Sequence, residues 1–332
     1  MRICVLGAGA IGGLLAARLS VAGNQVSVLA RGEHLEAIQQ TGLSLVEADG
    51  TVTTASGIVA SHDFGDLGTP DTVVLALKAH QIIAVADQLH QLYGPDTVVV
   101  PVQNGIPWWY FERHGGPHDG RRLEKLDPDG VLSLAVPAER IVASIPYPAA
   151  EKIAPGVIRH VAGDKFPVGE LDGSKSERAG AVSDVFSAAG FKSRVLTDIR
   201  SHLWVKAWGN LAFNPISALT GATLGQICRT PVTRNLAATM MAEAIEIAAA
   251  LDVAIRFTIE KRIAGAEAVG DHKTSMLQDV EAGRALEIDP LVGVFVELGK
   301  LLGVATPSIS AVYALASLLN DQMANTITEM TT

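Results

Sequence analysis

Cysteine is almost absent from this 332-residue chain, which has only Cys4 and Cys228. One lies in a strand-like segment and the other in a helical one, so a disulfide framework is not indicated and a reducing, cytoplasmic location is expected. The chain also lacks basic runs, and its formal net charge is −9. That charge argues against binding to nucleic acid or to an anionic membrane surface.

Uninterrupted apolar runs of membrane-spanning length are also lacking. Residues 207–228 and 301–320 carry no formal charge, but polar residues interrupt both, and we predict buried helices of a soluble protein. Residues 1–22 have the early arginine and apolar run of a secretory leader. A glycine motif within them explains the pattern better.

Glycine, in contrast, is abundant, with 32 residues, and three of them form a motif near the start of the chain. Residues 2–6 are typical of a buried strand and 11–22 of the helix that follows, which places the glycines at the turn between them. Such a turn lets the backbone approach phosphate oxygens and directs the N–H groups of the helix start at an anion. The predicted dinucleotide contacts are Gly7, Ala8, Gly9, Ala10, Ile11 and Gly12.

The second strand indicates which dinucleotide is bound. Residues 25–30 are predicted to form it, and folds that prefer NAD usually end this strand with an acidic residue for the ribose hydroxyls. Here Arg31 follows the strand, and its guanidinium can pair with a 2′-phosphate by charge and by two parallel hydrogen bonds. We therefore predict NADP(H); the alternative is that Arg31 is a solvated loop residue.

Strands and helices alternate through the first half of the chain. Residues 71–77 and 97–102 are strand-like, with a helix at about 81–92 between them. This alternation predicts an α/β fold with a doubly wound, parallel, Rossmann-type sheet, in which ligands bind beyond the carboxyl ends of the strands. Lys78 and Asn104 follow two of those ends; a snorkelling lysine and an Asn-Gly turn are their simpler roles.

Periodicity is lost from residue 106 to about 137, which we interpret as an aromatic-rich excursion from the sheet. Its aromatic run, 108–111, is predicted to pack within its own domain, with a pocket wall or an interface as the alternatives. His114 and His118 lie near Asp119. Further ligands at zinc-like spacing are missing, so no metal is predicted.

The sequence pattern changes near residue 196, and this change divides the chain. Before it come strand-like segments at 140–145, 156–162 and 166–169, a helix at 176–189 and a strand at 193–196, and after it the sequence is helical. We predict an NADP-binding domain over 1–196 and an all-helical substrate and catalytic domain over 197–332. The active site is expected in the crevice between them.

The predicted catalytic helix begins after Asp198 and carries Lys206, Asn210 and Asn214 at four-residue intervals. This spacing places an amine and two amides on one face of a helix whose other residues are mostly apolar. Polar groups in such surroundings are costly unless they meet a polar partner, and burial makes a lysine proton more available. The stripe predicts a site for a polar ligand; the alternative is a set of helix–helix hydrogen bonds beside Pro215.

A second polar cluster occupies residues 271–289. Ser275 with Gln278 fits a capping box at a helix start, whose N–H groups are also suited to a substrate carboxylate. Glu287 comes just before Pro290, and there it could leave the helix end and face the crevice.

Together these motifs resemble those of the ketopantoate reductase family, the 2-dehydropantoate 2-reductases. The resemblance covers nearly the whole chain, in order and at fitting spacing. Its residues are Gly7 to Gly12, Arg31, Leu77-Lys78, Gln103-Asn104-Gly105, Lys206, Asn210, Asn214-Pro215, and 275–279 with Glu-Ile-Asp at 287–289. It implies that NADPH reduces the ketone of 2-dehydropantoate to the alcohol of pantoate, on the route to coenzyme A.

The same resemblance implies a role for individual residues. Lys206 matches the proton donor of the family. The implied substrate contacts are Asn104, Asn210, Asn214 and Ser275. The implied cofactor contacts beyond the glycine motif and Arg31 are Lys78, Asn104, Ala150 and Glu287.

The chain departs from the family's pattern around the substrate. Residues 223–225 read Thr-Leu-Gly where many members carry a further asparagine, His272 takes a place often held by asparagine, and the excursion is longer than usual. Another small 2-oxo acid therefore stays open as the substrate, and a non-catalytic NADP(H)-sensing protein is the third hypothesis. The chain could act as a homodimer.

Overall fold

The computed structural model describes the backbone of residues 1–331 and the side chains of residues 1–325. The chain folds into two compact units. The first unit contains residues 1–103, 108–122 and 129–199, and the second contains residues 104–107, 123–128 and the chain from Arg200 onward.

The division into units differs from the predicted domains in two respects. The long second part begins after Ile199 rather than after residue 196, and two short segments of the aromatic-rich excursion belong to the second unit. One of these segments is held by Glu297, whose carboxylate accepts the backbone N–H groups of Glu124 and Lys125 at 2.7 and 2.9 Å. Such a long-range contact between a side chain and a loop backbone leaves no periodic signal in the sequence.

The first unit contains eleven strands and five α-helices in its described residues. The strands are β1 Arg2–Leu6, β2 Gln25–Leu29, β3 Leu43–Val46, β4 Val52–Ala55, β5 Val59–Ser61, β6 Thr72–Leu75, β7 Val98–Pro101, β8 Ala143–Ser144, β9 Ala149–Ala154, β10 Val157–Ala162 and β11 Val168–Gly169. The helices are α1 Ala10–Val21, α2 Gly32–Thr41, α3 Ala79–Ile83, α4 Val131–Ala135 and α5 Glu177–Ala188.

The central sheet of this unit is fully parallel, with the strand order β5-β2-β1-β6-β7. Strands β1, β6 and β7 are apolar and almost entirely buried, as expected when helices cover both faces of a parallel sheet. The strand order reverses at β1, and ligands of such sheets bind at the carboxyl ends of the strands that flank this point. The predicted doubly wound, Rossmann-type fold is confirmed.

A second, four-stranded sheet has the order β4-β3-β10-β9 and was only partly predicted. Strands β3 and β4 have only four residues each and include polar ones, so they lack the continuous apolar run that marks the strands of the central sheet. Elsewhere the pattern predicted too much strand. The segments at 140–145 and 166–169 contain the two-residue strands β8 and β11, with a single bridge at Ile141, and 193–196 contributes one isolated bridge, at Val195.

The helix predicted at 81–92 is in fact two pieces. After α3 the chain breaks at Val85, which has a φ of −123°, and it continues as a 3₁₀ helix over Ala86–Leu92. An apolar pattern with helical spacing cannot distinguish a continuous helix from two short ones that bury the same face.

The second unit is helical after Arg200, as predicted. Its helices are α6 Ile199–Thr220, α7 Leu224–Arg229, α8 Pro231–Ala250, α9 Ile259–Val269, α10 Ser275–Glu281, α11 Val294–Leu302 and α12 Pro307–Thr331, with a π-helical turn over Asp289–Gly293. Within the described residues, no helix is both long enough and apolar enough to cross a membrane.

The aromatic run of the excursion is buried. Trp108, Trp109, Tyr110 and Phe111 are each 4% exposed or less. Tyr110 meets Phe111 edge to face, with ring centroids 5.0 Å apart. These residues are therefore buried, and packing within their own domain stays a prediction.

Candidate active site

The glycine motif forms the turn between β1 and α1 in the first unit. Gly7 has a φ of +98°, a conformation that side chains rarely allow, and a Cβ on Gly12 would lie 2.0 Å from the carbonyl oxygen of Gly7. Glycine is therefore required at both positions, the first for the turn and the second for the close approach of the helix.

Gly9 has a different role in the turn. It stands at the N-cap of α1 and has no side chain to accept the N–H groups of the first helical turn. A Cβ on Gly9 would meet no described atom within 4 Å, so the space beside this helix start is open. Free N–H groups beside open space suit a pyrophosphate, and these residues fit a dinucleotide cofactor.

Two cationic residues follow the strands on either side of β1. Arg31 is exposed at the N-cap of α2, after β2, and Lys78 is half-buried at the N-cap of α3, after β6. Since β2, β1 and β6 are parallel neighbours, both side chains start from the same edge of the sheet as the glycine turn. Ala150, in contrast, lies on β9 of the second sheet. Hence one sheet edge in the first unit carries most of the predicted cofactor contacts.

The second unit carries the predicted catalytic stripe on α6. Tryptophans anchor this helix: the indole N–H of Trp208 donates to the carbonyl of Met241 at 2.9 Å, and Trp204 meets Phe295 edge to face at 5.3 Å. Both rings are fully buried. The polar residues of the same helix are thus held in position by an apolar face that packs against α8 and α11.

Lys206 is the residue of the stripe whose pKa is shifted by its surroundings. Its Nζ donates a hydrogen bond to Oδ1 of Asn104 at 2.6 Å. The side chain keeps some exposed surface, but protein surrounds its ammonium on most sides, and this desolvation lowers the pKa of Lys206 to about 7. The negative charge of Glu287 acts in the opposite direction and raises this pKa. Lys206 can therefore exchange a proton near neutral pH.

The turn that presents Asn104 is braced by the π-helical turn. The backbone N–H of Ile106 donates to the carbonyl of Pro290 at 3.0 Å, and a Cβ on Gly105 would lie only 2.1 Å from that carbonyl oxygen. Gly105 also has a φ of +83°. A glycine is required here by both the conformation and the contact, and this close approach fixes where Asn104 meets Lys206.

Asn214 and Ser275 form a second polar pair in the same unit, with Nδ2 of Asn214 3.4 Å from Oγ of Ser275. The predicted capping box at Ser275 is wrong, because Thr274 is the N-cap of α10 and its Oγ1 accepts the N–H of Leu277 at 3.2 Å. Ser and Thr are both good caps, so the sequence could not separate the neighbours. Ser275 is exposed, and its hydroxyl is not used to cap the helix.

Asn210 and Glu287 are the two remaining members of the predicted site in the second unit. Asn210 lies one helical turn after Lys206 on α6 and is half-buried. Glu287 lies between α10 and the π-helical turn, also half-buried, and its negative charge raises the pKa of Lys206.

The residues that depart from the family's pattern have structural partners. Thr223 caps α7 through a reciprocal pair of bonds with Gln226, and its hydroxyl also donates to Asp271. The carbonyl of His272 accepts the N–H of Leu224 at 3.0 Å. Position 223 thus joins α7 to the loop before α10, a role that local sequence did not reveal.

The histidines of the excursion also have partners that the sequence did not predict. His114 and His118 both pack against the ring of Phe111, with centroids 5.3 and 5.5 Å away. Asp119 accepts the backbone N–H of His114. The described residues contain no cluster of three or more side chains suited to a metal ion.

Comparison with known proteins assigns both parts of the chain to the same family. The model described as "Ketopantoate reductase PanE/ApbA" matches residues 3–173, and the one described as "Ketopantoate reductase PanE/ApbA C terminal" matches residues 198–320. A 2-dehydropantoate 2-reductase of Mesorhizobium japonicum is 51% identical over 316 residues, which cover 95% of this chain and 96% of that protein.

Solved structures agree over the full length. A crystal structure from Ralstonia solanacearum MolK2, described as a candidate ketopantoate reductase, has a TM-score of 0.92 and 40% identity and covers 97% of this chain and 98% of its own. The 2-dehydropantoate 2-reductase from Methylococcus capsulatus has a TM-score of 0.82 and 28% identity, with 97% and 98% coverage.

Proposed function

Since this chain belongs to the ketopantoate reductase family, we propose that it reduces the ketone of 2-dehydropantoate to the alcohol of pantoate with NADPH. The observation that carries the proposal is the environment of Lys206. An ammonium with a pKa of about 7 lies 2.6 Å from Asn104 and on the same helix face as Asn210 and Asn214. A protein that only senses NADP(H) has no use for such a proton donor.

The cofactor, when bound, supplies the hydride that attacks the ketone carbon. Negative charge then develops on the ketone oxygen, and the Lys206 ammonium stabilises that charge and gives its proton to the oxygen. A lysine with a pKa of about 7 gives up the proton more readily than an ordinary lysine, and water restores it at neutral pH. Asn104 accepts one of the three ammonium protons and so orients the other two.

The remaining polar groups are suited to the carboxylate end of the substrate. Amide N–H groups of Asn210 and Asn214 and the hydroxyl of Ser275 can each donate to a carboxylate oxygen. Two contacts at one end of a small acid restrict its rotation and keep the ketone in front of Lys206. We propose these three residues, with Asn104, as the substrate contacts.

The cofactor contacts proposed are the glycine turn, Arg31 and Lys78 from one sheet edge, with Asn104, Ala150 and Glu287 from the resemblance. The fit of the turn rests on the open space beside Gly9 and the free N–H groups that start α1. The cytoplasmic location stays a prediction. It is supported by Cys4 and Cys228, which are both free and buried.

Assays with a panel of 2-oxo acids test the substrate directly. Consumption of NADPH is expected to have its highest kcat/KM with 2-dehydropantoate. A higher kcat/KM with a 2-oxo acid that lacks the terminal hydroxyl would replace the substrate assignment. Binding of NADPH without turnover of any acid would leave a non-catalytic NADP(H)-binding protein.

Arg31→Gln is expected to weaken NADPH binding by about 10- to 100-fold and to leave NADH binding unchanged. Arg31 is exposed at the strand end, and a charge-assisted pair with a 2′-phosphate contributes roughly 1.5–3 kcal/mol. Dissociation constants from cofactor fluorescence check this, with Arg121→Gln, another exposed arginine of the first unit, as the control. Equal weakening of NADPH and NADH would contradict a phosphate contact.

The pH dependence of reduction is expected to follow Lys206. Because the protonated amine is the donor, kcat/KM should fall tenfold per pH unit above about 7, the pKa of Lys206. A bound substrate carboxylate favours the ammonium, so the corresponding limb of kcat should lie at higher pH.

Glu287→Gln tests the same assignment through a shift in the pH at which kcat/KM falls. Removing the negative charge that raises the pKa of Lys206 should move the fall in kcat/KM to lower pH. The control is Glu281→Gln, since Glu281 is exposed and pairs with Lys273. An unchanged pH dependence of kcat/KM in the Glu287 variant would show that Glu287 does not affect the pKa of Lys206.

A further inference from the structure

The imidazole of His34 lies between the glycine turn and the hairpin that joins β9 to β10. Its Nε2 is 2.6 Å from the carbonyl oxygen of Ala8, and its Nδ1 is 2.9 Å from the backbone N of Gly156. The residue is 9% exposed. A single buried ring thus joins two backbone segments that are far apart in the sequence.

These two contacts determine the tautomer of the ring. The N–H of Gly156 can only donate, so Nδ1 is the acceptor, and the proton of a neutral ring is on Nε2. Nε2–H then donates to the carbonyl of Ala8, which can only accept. Burial lowers the pKa of His34, which keeps the ring neutral and both bonds intact at neutral pH.

The bond to Ala8 fixes the part of the turn that faces the cofactor. Its carbonyl belongs to the planar peptide that ends at the N–H of Gly9, and in a trans peptide the two groups point in opposite directions. The N–H of Ala8 donates to Leu29 at 3.3 Å, and the carbonyl of Gly9 accepts from Gly13 at 2.7 Å. With the bond to His34, each successive peptide plane before α1 has a hydrogen bond that fixes its orientation.

His34 also connects the turn to other cofactor elements. It lies on α2, three residues after Arg31, and the hairpin it holds contains β9 with Ala150. The carbonyl of Gly156 accepts the N–H of Ser44, so the hairpin tip is bonded on both sides. Displacement of the ring would therefore release the turn and one side of the hairpin tip, and it would disturb α2 close to its N-cap Arg31.

We propose that His34 is a positioning residue for the dinucleotide: it holds the peptide between Ala8 and Gly9 in the orientation that receives the pyrophosphate, without touching the cofactor itself. The inference rests on the NADP(H) site proposed above and adds a residue to it. Its effect is on cofactor affinity, because the proposed groups that act on the ketone all belong to the second unit.

Two amide substitutions separate the two bonds of the ring. The amide nitrogen of glutamine reaches the position of Nε2, and His34→Gln can still donate to Ala8. The shorter His34→Asn places its amide near the position of Nδ1, so it can meet Gly156 and cannot reach Ala8. NADPH and NADP⁺ dissociation constants are measured by fluorescence and calorimetry on the free enzyme, together with the thermal midpoint of each variant.

We expect His34→Gln to bind NADPH within about threefold of wild type and His34→Asn to bind it at least tenfold more weakly. At saturating NADPH, kcat should be unchanged in both variants. His90→Gln is the control, since His90 is exposed and its Nδ1 also contacts a backbone carbonyl, that of Asp87.

Equal affinity in the Gln and Asn variants at different thermal midpoints would overturn the proposal, because His34 would then only stabilise the fold. Weaker NADPH binding in both, by the same factor, would also overturn it, since the bond to Ala8 would not matter. If wild type binds NADPH but reduces no 2-oxo acid, the proposed function fails and the comparison of dissociation constants still decides the role of His34. If wild type binds neither NADPH nor NADP⁺, both proposals fail.

Discussion

Lys206→Met is expected to lower kcat for ketone reduction by about 10²- to 10⁴-fold, the range for loss of a general acid, with the dissociation constant of NADPH unchanged. Methionine keeps most of the side-chain volume and removes the transferable proton. Single-turnover kinetics, with NADPH binding measured separately, check the split between chemistry and affinity. Turnover near the wild-type rate would remove Lys206 from its proposed role.

The same substitution is expected to make the protein more stable. The pKa of Lys206 falls from 10.5 to about 7 on folding, so the folded state disfavours the charge that the unfolded chain carries. The penalty is complete below pH 7 and disappears as the pH rises towards 10.5, with an upper bound of roughly 5 kcal/mol. Loss of the bond to Asn104 offsets part of the gain, and the thermal midpoint at neutral pH should rise by roughly 2–5 °C.

A control for this pair of effects is Lys300→Met, at an exposed position of α11. It should change neither kcat nor the thermal midpoint appreciably. A loss of activity that comes with a lower midpoint in Lys206→Met would indicate that the lysine supports the fold rather than the chemistry.

Gly105→Ala is expected to have the largest structural effect. The new Cβ would lie 2.1 Å from the carbonyl oxygen of Pro290, in a backbone with a φ of +83°. Strain and displaced backbone should together cost roughly 2–4 kcal/mol. Because the turn must open, Asn104 moves away from Lys206, and kcat/KM should fall at least tenfold.

Gly115→Ala is the matched control for this prediction. Gly115 has a similar φ of +73°, but its Cβ would meet no described atom within 4 Å. It therefore measures the conformational cost alone, about 1 kcal/mol. Urea unfolding and kinetic assays compare the two variants. If both lose the same stability, the contact with Pro290 has no role in holding the turn.

Local patterns in the sequence were sufficient for the core of both units. The motif from Gly7 to Gly12 and the stripe of Lys206, Asn210 and Asn214 each lie within one short segment, so spacing alone places their residues together. The apolar strands of the central sheet are equally local, and the parallel fold follows from their alternation with helices.

Contacts between distant segments account for what the sequence did not reveal. Gly105 meets Pro290, and His34 joins Ala8 to Gly156. In each case one partner is a backbone group, which has no residue type to read. The change from Ser275 to Thr274 as the helix cap has another cause, since two adjacent residues were equally suited and only the backbone conformation decides between them.

At the start of α10 one residue caps the helix, and the residue after it is free to vary. Thr274 alone caps the start of the helix. The neighbouring residue Ser275 can therefore be exchanged with little loss of folding free energy. Selection acting on the preferred acid can therefore proceed there independently of selection on foldability. If Ser275 contacts the substrate as proposed, a library restricted to position 275 is the economical starting point for redirecting this scaffold to other 2-oxo acids.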